Sequence, residues 1–117
     1  MTKFFILSIL TLLFGCSLRS KKEVRITLKN QTKYLIDSVI IRSHEVNEVF
    51  RQVQPGDSIS KDVAFNFQVK YEGAWTILVY ENSDLKRSGS FGYYSNSSDI
   101  KNSYTLTIYN NFSYKEN

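Results

Sequence analysis

Few side chains in this sequence are suited to covalent or acid–base chemistry. Cys16 is the only cysteine and His44 is the only histidine. A nucleophilic hydrolase needs a base held beside a serine or cysteine, whereas His44 lies in the polar stretch Ser43-His44-Glu45, for which a solvated turn is expected. His44, Glu45 and Glu48 form too small a set for a metal site, and the sequence contains no glycine-rich phosphate loop. The sequence therefore predicts no catalytic residue, no metal ligand and no cofactor.

Cys16 stands at the end of an apolar stretch. Lys3 is followed by residues 4–14, an uncharged run that is shorter than the roughly 20 residues that a membrane-spanning helix requires. A positive residue, a short apolar run and then a small residue, here Gly15, are typical of a secretion signal. We therefore expect residues 1–15 to be a signal peptide.

The residues Leu13-Phe14-Gly15-Cys16 resemble the lipobox of bacterial lipoproteins. The resemblance implies that the Cys16 thiol takes up a diacylglyceryl group as a thioether and that a peptidase cleaves the chain before Cys16. The expected partner is then the lipid bilayer, which the chain reaches through acylated Cys16. Because no other cysteine is present, the mature chain is expected to fold without a disulfide.

Residues 16–22 are expected to form a polar tether. Arg19, Lys21 and Lys22 would lie near anionic headgroups and add on the order of 1 kcal/mol of attraction each. The alternative is that these residues belong to a solvated linker. After residue 15 the chain carries 14 basic and 11 acidic residues, which are scattered along it, so nucleic-acid binding is not expected. The resemblance to bacterial lipoproteins also implies a location. Ser17 stands where an aspartate would resemble an inner-membrane retention signal, and residues 18–22 lack the acidic cluster associated with surface export in Bacteroidota, so the periplasmic face of the outer membrane is expected.

From residue 23 onward most segments alternate between apolar and polar residues, as β-strands do. In residues 63–71 the alternation predicts that Phe65 and Phe67 share a buried face. We expect an all-β domain over residues 23–112, an antiparallel immunoglobulin-like β-sandwich of seven or eight short strands with a small barrel as the alternative, and a frayed tail over residues 113–117. The clearest strands are predicted at residues 24–29, 34–42, 49–53, 63–71, 75–80, 88–94 and 103–110.

Two short motifs extend the resemblance beyond the lipobox. The turn Pro55-Gly56-Asp57-Ser58 and the segment Gly92-Tyr93-Tyr94-Ser95-Asn96 are similar to segments of small β-sandwich lipoproteins of Bacteroidota. Asp57-Ser58-Ile59 also resembles the O-glycosylation motif of exported proteins of that group. The resemblance implies that Ser58 is a possible O-glycosylation site.

Tyrosines near the end of the chain are the candidate binding residues. Tyr93 and Tyr94 must point to opposite faces of a strand, so one of them is expected at the surface, and Tyr109 follows in the last predicted strand. Exposed tyrosines suit protein or carbohydrate binding. The leading hypothesis is a membrane-anchored, non-catalytic interaction module whose partner is an envelope protein or a glycan. The alternatives are an envelope hydrolase with a site assembled from scattered acids and tyrosines, and a structural subunit of an envelope complex.

Replacement of Cys16 tests the expected anchor. Cys16→Ala or Cys16→Ser should leave an unprocessed precursor that takes up no labelled palmitate, because neither side chain can form the thioether. Acylation is measured by metabolic labelling, and membrane attachment of the parent chain should resist high salt because two or three acyl chains bury enough CH₂ groups to hold a small protein. A Cys16→Ala chain that is still acylated would contradict the lipoprotein hypothesis.

Overall fold

The computed structural model describes residues 21–44, 46–66, 72–95 and 100–117. In these ranges the chain forms eight β-strands and no helix, which confirms the all-β prediction. None of the four ranges contains a helix long and apolar enough to cross a membrane. The strands are β1 (Lys21–Asn30), β2 (Ile36–Arg42), β3 (Asn47–Val53), β4 (Ser58–Asn66), β5 (Gly73–Glu81), β6 (Asp84–Tyr94), β7 (Ser103–Ile108) and β8 (Tyr114–Glu116).

The eight strands form two four-stranded sheets that pack face to face. The first sheet has the order β4-β1-β7-β8 and the second has the order β3-β2-β5-β6. Neighbouring strands are antiparallel except for β1 and β7, which run parallel from the pair Arg25 and Ser103 to the pair Asn30 and Ile108. The expectation of a wholly antiparallel fold is therefore wrong at this pair. Because the chain visits the second sheet between β1 and β7, no hairpin dictates their relative direction.

The core lies between the sheets and contains the inward-facing residues of both. Trp75, Ile77 and Val79 of β5 are fully buried there, and they pack with apolar residues of β1, β2 and β7. Leu78 and Tyr80, which alternate with them, lie on the outer face and are partly exposed. Residues 75–80 are apolar except at Thr76, a pattern that predicts burial on both faces of the strand or packing beneath a neighbouring loop. The apolar outer positions instead belong to a face that no other described element covers.

Each side of the sandwich is closed by a side chain that bonds to main-chain carbonyls of the opposite sheet. On one side, Lys61 of β4 donates to the Val49 carbonyl of β3 (2.6 Å) and contacts the Phe50 ring (5.1 Å to its centroid). On the other side, the Tyr114 hydroxyl of β8 donates to the Ser90 carbonyl of β6 (2.8 Å). An inward-pointing lysine on an edge strand also hinders further strand addition at that edge.

Residues 114–116 form an ordered strand, which the hydrogen bond from Tyr114 to Ser90 ties to β6. Residues 113–117 were expected to fray, but Tyr114–Glu116 pairs with Leu106 to Ile108 of β7. Gly89 of β6 keeps a regular pair with Ile77, and a Cβ there would overlap the Tyr114 side chain. Three residues are too few to reveal a strand by alternation, and the glycine that receives Tyr114 lies far away in the sequence.

Several predicted boundaries also change, and the starts of β1, β4 and β6 shift by three residues or more; β6 begins at Asp84 and not at residue 88. β4 begins at Ser58 and not at residue 63. The alternation does not reveal its first residues, because Lys61 is a polar residue at an inward position. β1 begins at Lys21, so residues 17–20 lie between Cys16 and the first strand in the sequence. Phe67 and the rest of residues 67–71 lie outside the described residues, as does the side chain of Phe65. The predicted shared face of these two phenylalanines stays a prediction.

A buried asparagine joins the connections between the two sheets. The Asn30 amide donates to the Tyr34 carbonyl (2.9 Å) and to the Val53 carbonyl (2.9 Å), and its Oδ1 accepts from the main-chain N–H and the hydroxyl of Thr32. Its main chain bonds to Asp57 and Gly56 in the turn before β4. Every hydrogen-bonding group of Asn30 is thus engaged, as burial requires.

Removal of this amide should destabilise the domain far more than removal of an exposed polar pair. We expect Asn30→Ala to lower the free energy of unfolding by about 2–4 kcal/mol, because several buried groups lose their partners. Asn30→Asp, which keeps the shape but cannot donate, should also be destabilising. The measurement is urea unfolding of a soluble chain that begins at Ser17, followed by circular dichroism.

Thr27→Ala is the matched control for this comparison. Thr27 bonds to Ser60 (2.7 Å) on an outer face, so its loss should cost less than about 1 kcal/mol. An Asn30→Ala chain as stable as the Thr27→Ala chain would show that the buried network does not stabilise the fold.

Candidate functional site

The two ends of the sandwich carry different exposed aromatic residues. We define the tether end as the end at which β1 begins at Lys21, where β2 ends at Arg42 and β5 and β6 meet at the pair Gly73 and Tyr94. The far end is the one at which β1 ends at Asn30. Candidate residues can therefore be assigned to one end or the other from the strand directions alone.

A β-bulge at the tether end decides which of two adjacent tyrosines faces solvent. Trp75 pairs with Phe91, whereas Gly73 pairs with Tyr94, so β6 carries one extra residue across this interval. Gly92 adopts a φ of +60° there, a conformation that glycine tolerates best. The inserted residue shifts the alternation by one position. As a result Tyr93 is 68% exposed and Tyr94 is 2% exposed.

Gly92 lies over a cluster of buried aromatic rings. The Trp75 ring contacts those of Phe91 and Tyr104 at centroid distances of 6.1 Å and 5.9 Å. A Cβ at Gly92 would come within 2.8 Å of Tyr104 and 3.0 Å of Trp75. Burial raises the pKa of the Tyr104 phenol, which keeps it neutral under the rings. This packed cluster fixes the backbone from which Tyr93 projects.

Polar groups around Tyr93 hold it beside Glu72. The Tyr93 hydroxyl donates to the Glu72 carboxylate (2.5 Å), and Nε2 of His44 lies 3.3 Å from the Glu72 carbonyl. A carbonyl only accepts, so the imidazole proton in that contact is on Nε2. Below them, the Ser43 and Tyr94 hydroxyls are hydrogen-bonded at 2.6 Å. Tyr94 is therefore a core residue, and Tyr93 is the tyrosine that a partner can reach.

Two shallow depressions of about 410 Å³ flank Ser43 and His44. Arg42 lines both, and Glu72 lines the second together with Gly73 and Ala74. This rim offers a guanidinium donor, a carboxylate acceptor and an exposed phenol, which suits contact with a polar surface. Within the four described ranges no three metal-binding side chains lie together.

Tyr109 belongs to the far end and does not share a surface with Tyr93. It follows β7, is 41% exposed, and lies in the connection to β8. In the same region the rings of Tyr34 and Phe112 stack at 5.7 Å, and the Lys33 N–H donates to the Asn110 side chain (2.9 Å). The three predicted binding tyrosines are thus separated: one at each end and one in the core.

The outer faces of the two sheets differ in chemistry. On the first sheet, Arg25 pairs with Asp62 (3.0 Å), a hydrogen bond that lowers the pKa of the Asp62 carboxyl. The second sheet instead carries a row of apolar side chains joined by cross-strand pairs, which we call the outer row. Leu85 is its most exposed member, and the others are partly exposed. The outer row consists of Val49, Ile40, Leu78, Tyr80 and Leu85.

The remaining predicted site residues are Ser58 and Cys16. Ser58 is exposed at the start of β4, directly after the Pro55-Gly56 turn, and it pairs with Lys29. Its accessibility is what O-glycosylation requires, and its modification stays a prediction. Cys16 lies outside the described residues.

Sequence reasoning missed Arg42, Glu72 and the outer row. Arg42 and Glu72 are far apart in the sequence and meet only because β2 ends where β5 begins. For the outer row a signal was present, since Leu78 and Tyr80 alternate with the buried residues of β5. Burial on both faces of β5 is the interpretation that such an apolar run favours, so the sequence does not mark this face as exposed.

Comparison with known proteins adds no relative. No family model, no curated protein and no solved structure matches this chain. The function is therefore inferred from the residues and geometry of the chain itself.

Substitution of Gly92 tests the bulge that exposes Tyr93. We expect Gly92→Ala to lower the free energy of unfolding by about 2–4 kcal/mol, because an alanine is strained at this φ and overlaps Tyr104 and Trp75. The measurement is chemical unfolding followed by the fluorescence of Trp75, the only tryptophan.

Gly56→Ala separates backbone strain from steric overlap as causes of the lost stability. Gly56 has a φ of +83° but a Cβ there would contact nothing within 4 Å. Only the strain of about 1–2 kcal/mol should then appear. Equal losses for the two variants would mean that the aromatic cluster does not constrain the bulge.

Proposed function

We propose that this chain is a membrane-anchored, non-catalytic interaction module of the cell envelope. The anchor is acylated Cys16, and residues 17–20 join it to β1. The domain lies at the periplasmic face of the outer membrane. The lipobox residues and the short distance between Cys16 and the first strand support this proposal.

The observation that carries the interaction role is the contrast between the two outer faces. The outer face of the first sheet is covered by polar pairs such as Thr27 with Ser60 and Arg25 with Asp62. On the second sheet, Ile40 pairs directly with both Val49 and Leu78, which makes an apolar surface across three strands. Contiguous exposed apolar surface on a small domain is characteristic of interaction sites.

The chemistry of the outer row favours a protein partner over a glycan. Aliphatic side chains on a twisted sheet bury area against another apolar surface, whereas a sugar needs several hydrogen-bonding groups in fixed positions. The Tyr80 hydroxyl is the polar side-chain group of the outer row, and the polar residues paired with the row on the same face, Ser38 and Ser88, carry a single hydroxyl each. The partner is therefore an envelope protein with an apolar surface of its own.

We also propose that the fold is immunoglobulin-like in the broad sense. Two four-stranded sheets whose loops collect at both ends support this class, as does the pairing of β1 with β4 on one side and β7 on the other. Such folds present loops and sheet faces from a rigid scaffold, which suits a binding role.

A single lysine in the outer row should abolish partner capture. The tagged lipoprotein is isolated from its own membranes after mild cross-linking, and the captured proteins are identified and quantified. Leu78→Lys should lose the specific partner, because the charge would have to be buried in an apolar interface. Thr27→Lys is the matched control, since Thr27 occupies an outward position on a central strand of the other sheet.

Thermal unfolding of both variants checks that each is folded. Equal capture by the Leu78→Lys and Thr27→Lys chains would contradict the proposed surface. A partner recovered as a glycan, with capture independent of Leu78, would contradict the choice of a protein partner.

A further inference from the structure

The position of the tether end relative to the lipid anchor limits what Tyr93 can reach. Residues 16–20 precede β1, and even fully extended they span at most about 17 Å from the Cys16 Cα to the Lys21 Cα. Lys21 lies at the same end of the sandwich as Arg42 and the pair Gly73 and Tyr94. An anchored domain therefore keeps its tether end close to the headgroups.

The far end is held away from the bilayer by the length of the strands. β6 has eleven residues and spans about 35 Å. It ends beside Tyr93 at the tether end and begins at Asp84 at the far end. Tyr109, which follows β7 at the far end, is separated from Tyr93 by most of this length.

The exposed groups of the tether end fit a lipid headgroup layer. Tyr93 presents an apolar ring with a polar tip, the combination that is enriched where membranes meet water. Arg42 is exposed, and its Nε donates to Asn47 (2.9 Å), which holds the guanidinium at the rim of both depressions. Lys21 and Lys22 begin β1 at this end.

The acidic groups of the tether end do not reverse this preference. The Glu72 carboxylate accepts a hydrogen bond from the Tyr93 hydroxyl, so one of its oxygens is already engaged within the protein. Glu23 is exposed beside Lys22 at the start of β1. By sequence, residues 16–23, 42–45 and 72–74 contain four basic residues, Arg19, Lys21, Lys22 and Arg42, against three acidic ones, Glu23, Glu45 and Glu72.

We propose that the tether end is a second membrane contact, in which Tyr93 lies at the level of the headgroups and Arg42 faces anionic phospholipid. This inference rests on the anchor of the proposed function and adds an orientation to it. The strands stand away from the bilayer, so the far end and the outer row remain accessible to a protein partner. A glycan or protein ligand at Tyr93 would have to enter the narrow space between domain and bilayer.

The test places a fluorescent reporter at each end of the lipidated full-length chain. Tyr93→Trp and Tyr109→Trp are purified from membranes and reconstituted into phosphatidylethanolamine and phosphatidylglycerol vesicles, with and without brominated phospholipid, which quenches indole on contact. Trp75 is fully buried and shielded, so its emission is the common background. The emission added by Tyr93→Trp should shift to shorter wavelength and be lost as brominated lipid increases. The emission added by Tyr109→Trp should not change.

Vesicle flotation distinguishes failure of the anchor from failure of the orientation. If the chain floats with vesicles but the Tyr93→Trp emission is not quenched, or both reporters are quenched equally, the second contact is overturned while the anchor stands. If the chain does not float, the anchor is overturned and the orientation with it. Quenching restricted to Tyr93→Trp supports the proposal, and weaker quenching on addition of Arg42→Gln assigns a part of the contact to the guanidinium.

Discussion

The relative position of the two sheets depends on the buried amide of Asn30. The β1–β2 loop carries the chain from the first sheet to the second, and the β3–β4 turn carries it back. Asn30 bonds to the Tyr34 carbonyl in the first connection, to the Val53 carbonyl at the end of β3, and through its main chain to the second connection. One residue therefore ties together two of the four connections between the sheets. In a domain without a disulfide, such a network supplies a geometric restraint that apolar packing, which is not directional, does not.

Period-two alternation predicted most strands, because an inward face of valine, isoleucine and aromatic residues is a local property of the sequence. It could not predict the parallel pairing of β1 with β7, which joins segments distant in the chain. It also left open which of Tyr93 and Tyr94 is exposed, because that choice depends on the extra residue at Gly92 and on the rings of Trp75 and Tyr104 beneath it. β8 was missed because its three residues are stabilised by pairing with β7 and by the packing of Tyr114 over Gly89. The contact with Gly89 joins residues that are distant in the sequence.

The surface divides into regions of different chemistry that the strand directions separate. The tether end combines Tyr93 with Arg42, the second sheet carries the outer row centred on Leu78, and the outer face of the first sheet is polar. A lipid anchor at the start of β1 would give these regions fixed roles, since only one end can approach the bilayer. The far end, where Tyr109 lies, then faces the surrounding compartment.

The parallel pairing of β1 and β7 also has a mechanical consequence. β1 is paired with β4 from Lys21 to Lys29 and with β7 from Arg25 to Asn30. If a partner held the domain while the membrane pulled on the anchor, the load would enter at Lys21 and run along the strand axis. Both ladders would then be sheared, so many hydrogen bonds would have to break together and not one after another. A strand held in this way is a strong attachment point for a protein that links a membrane to another object.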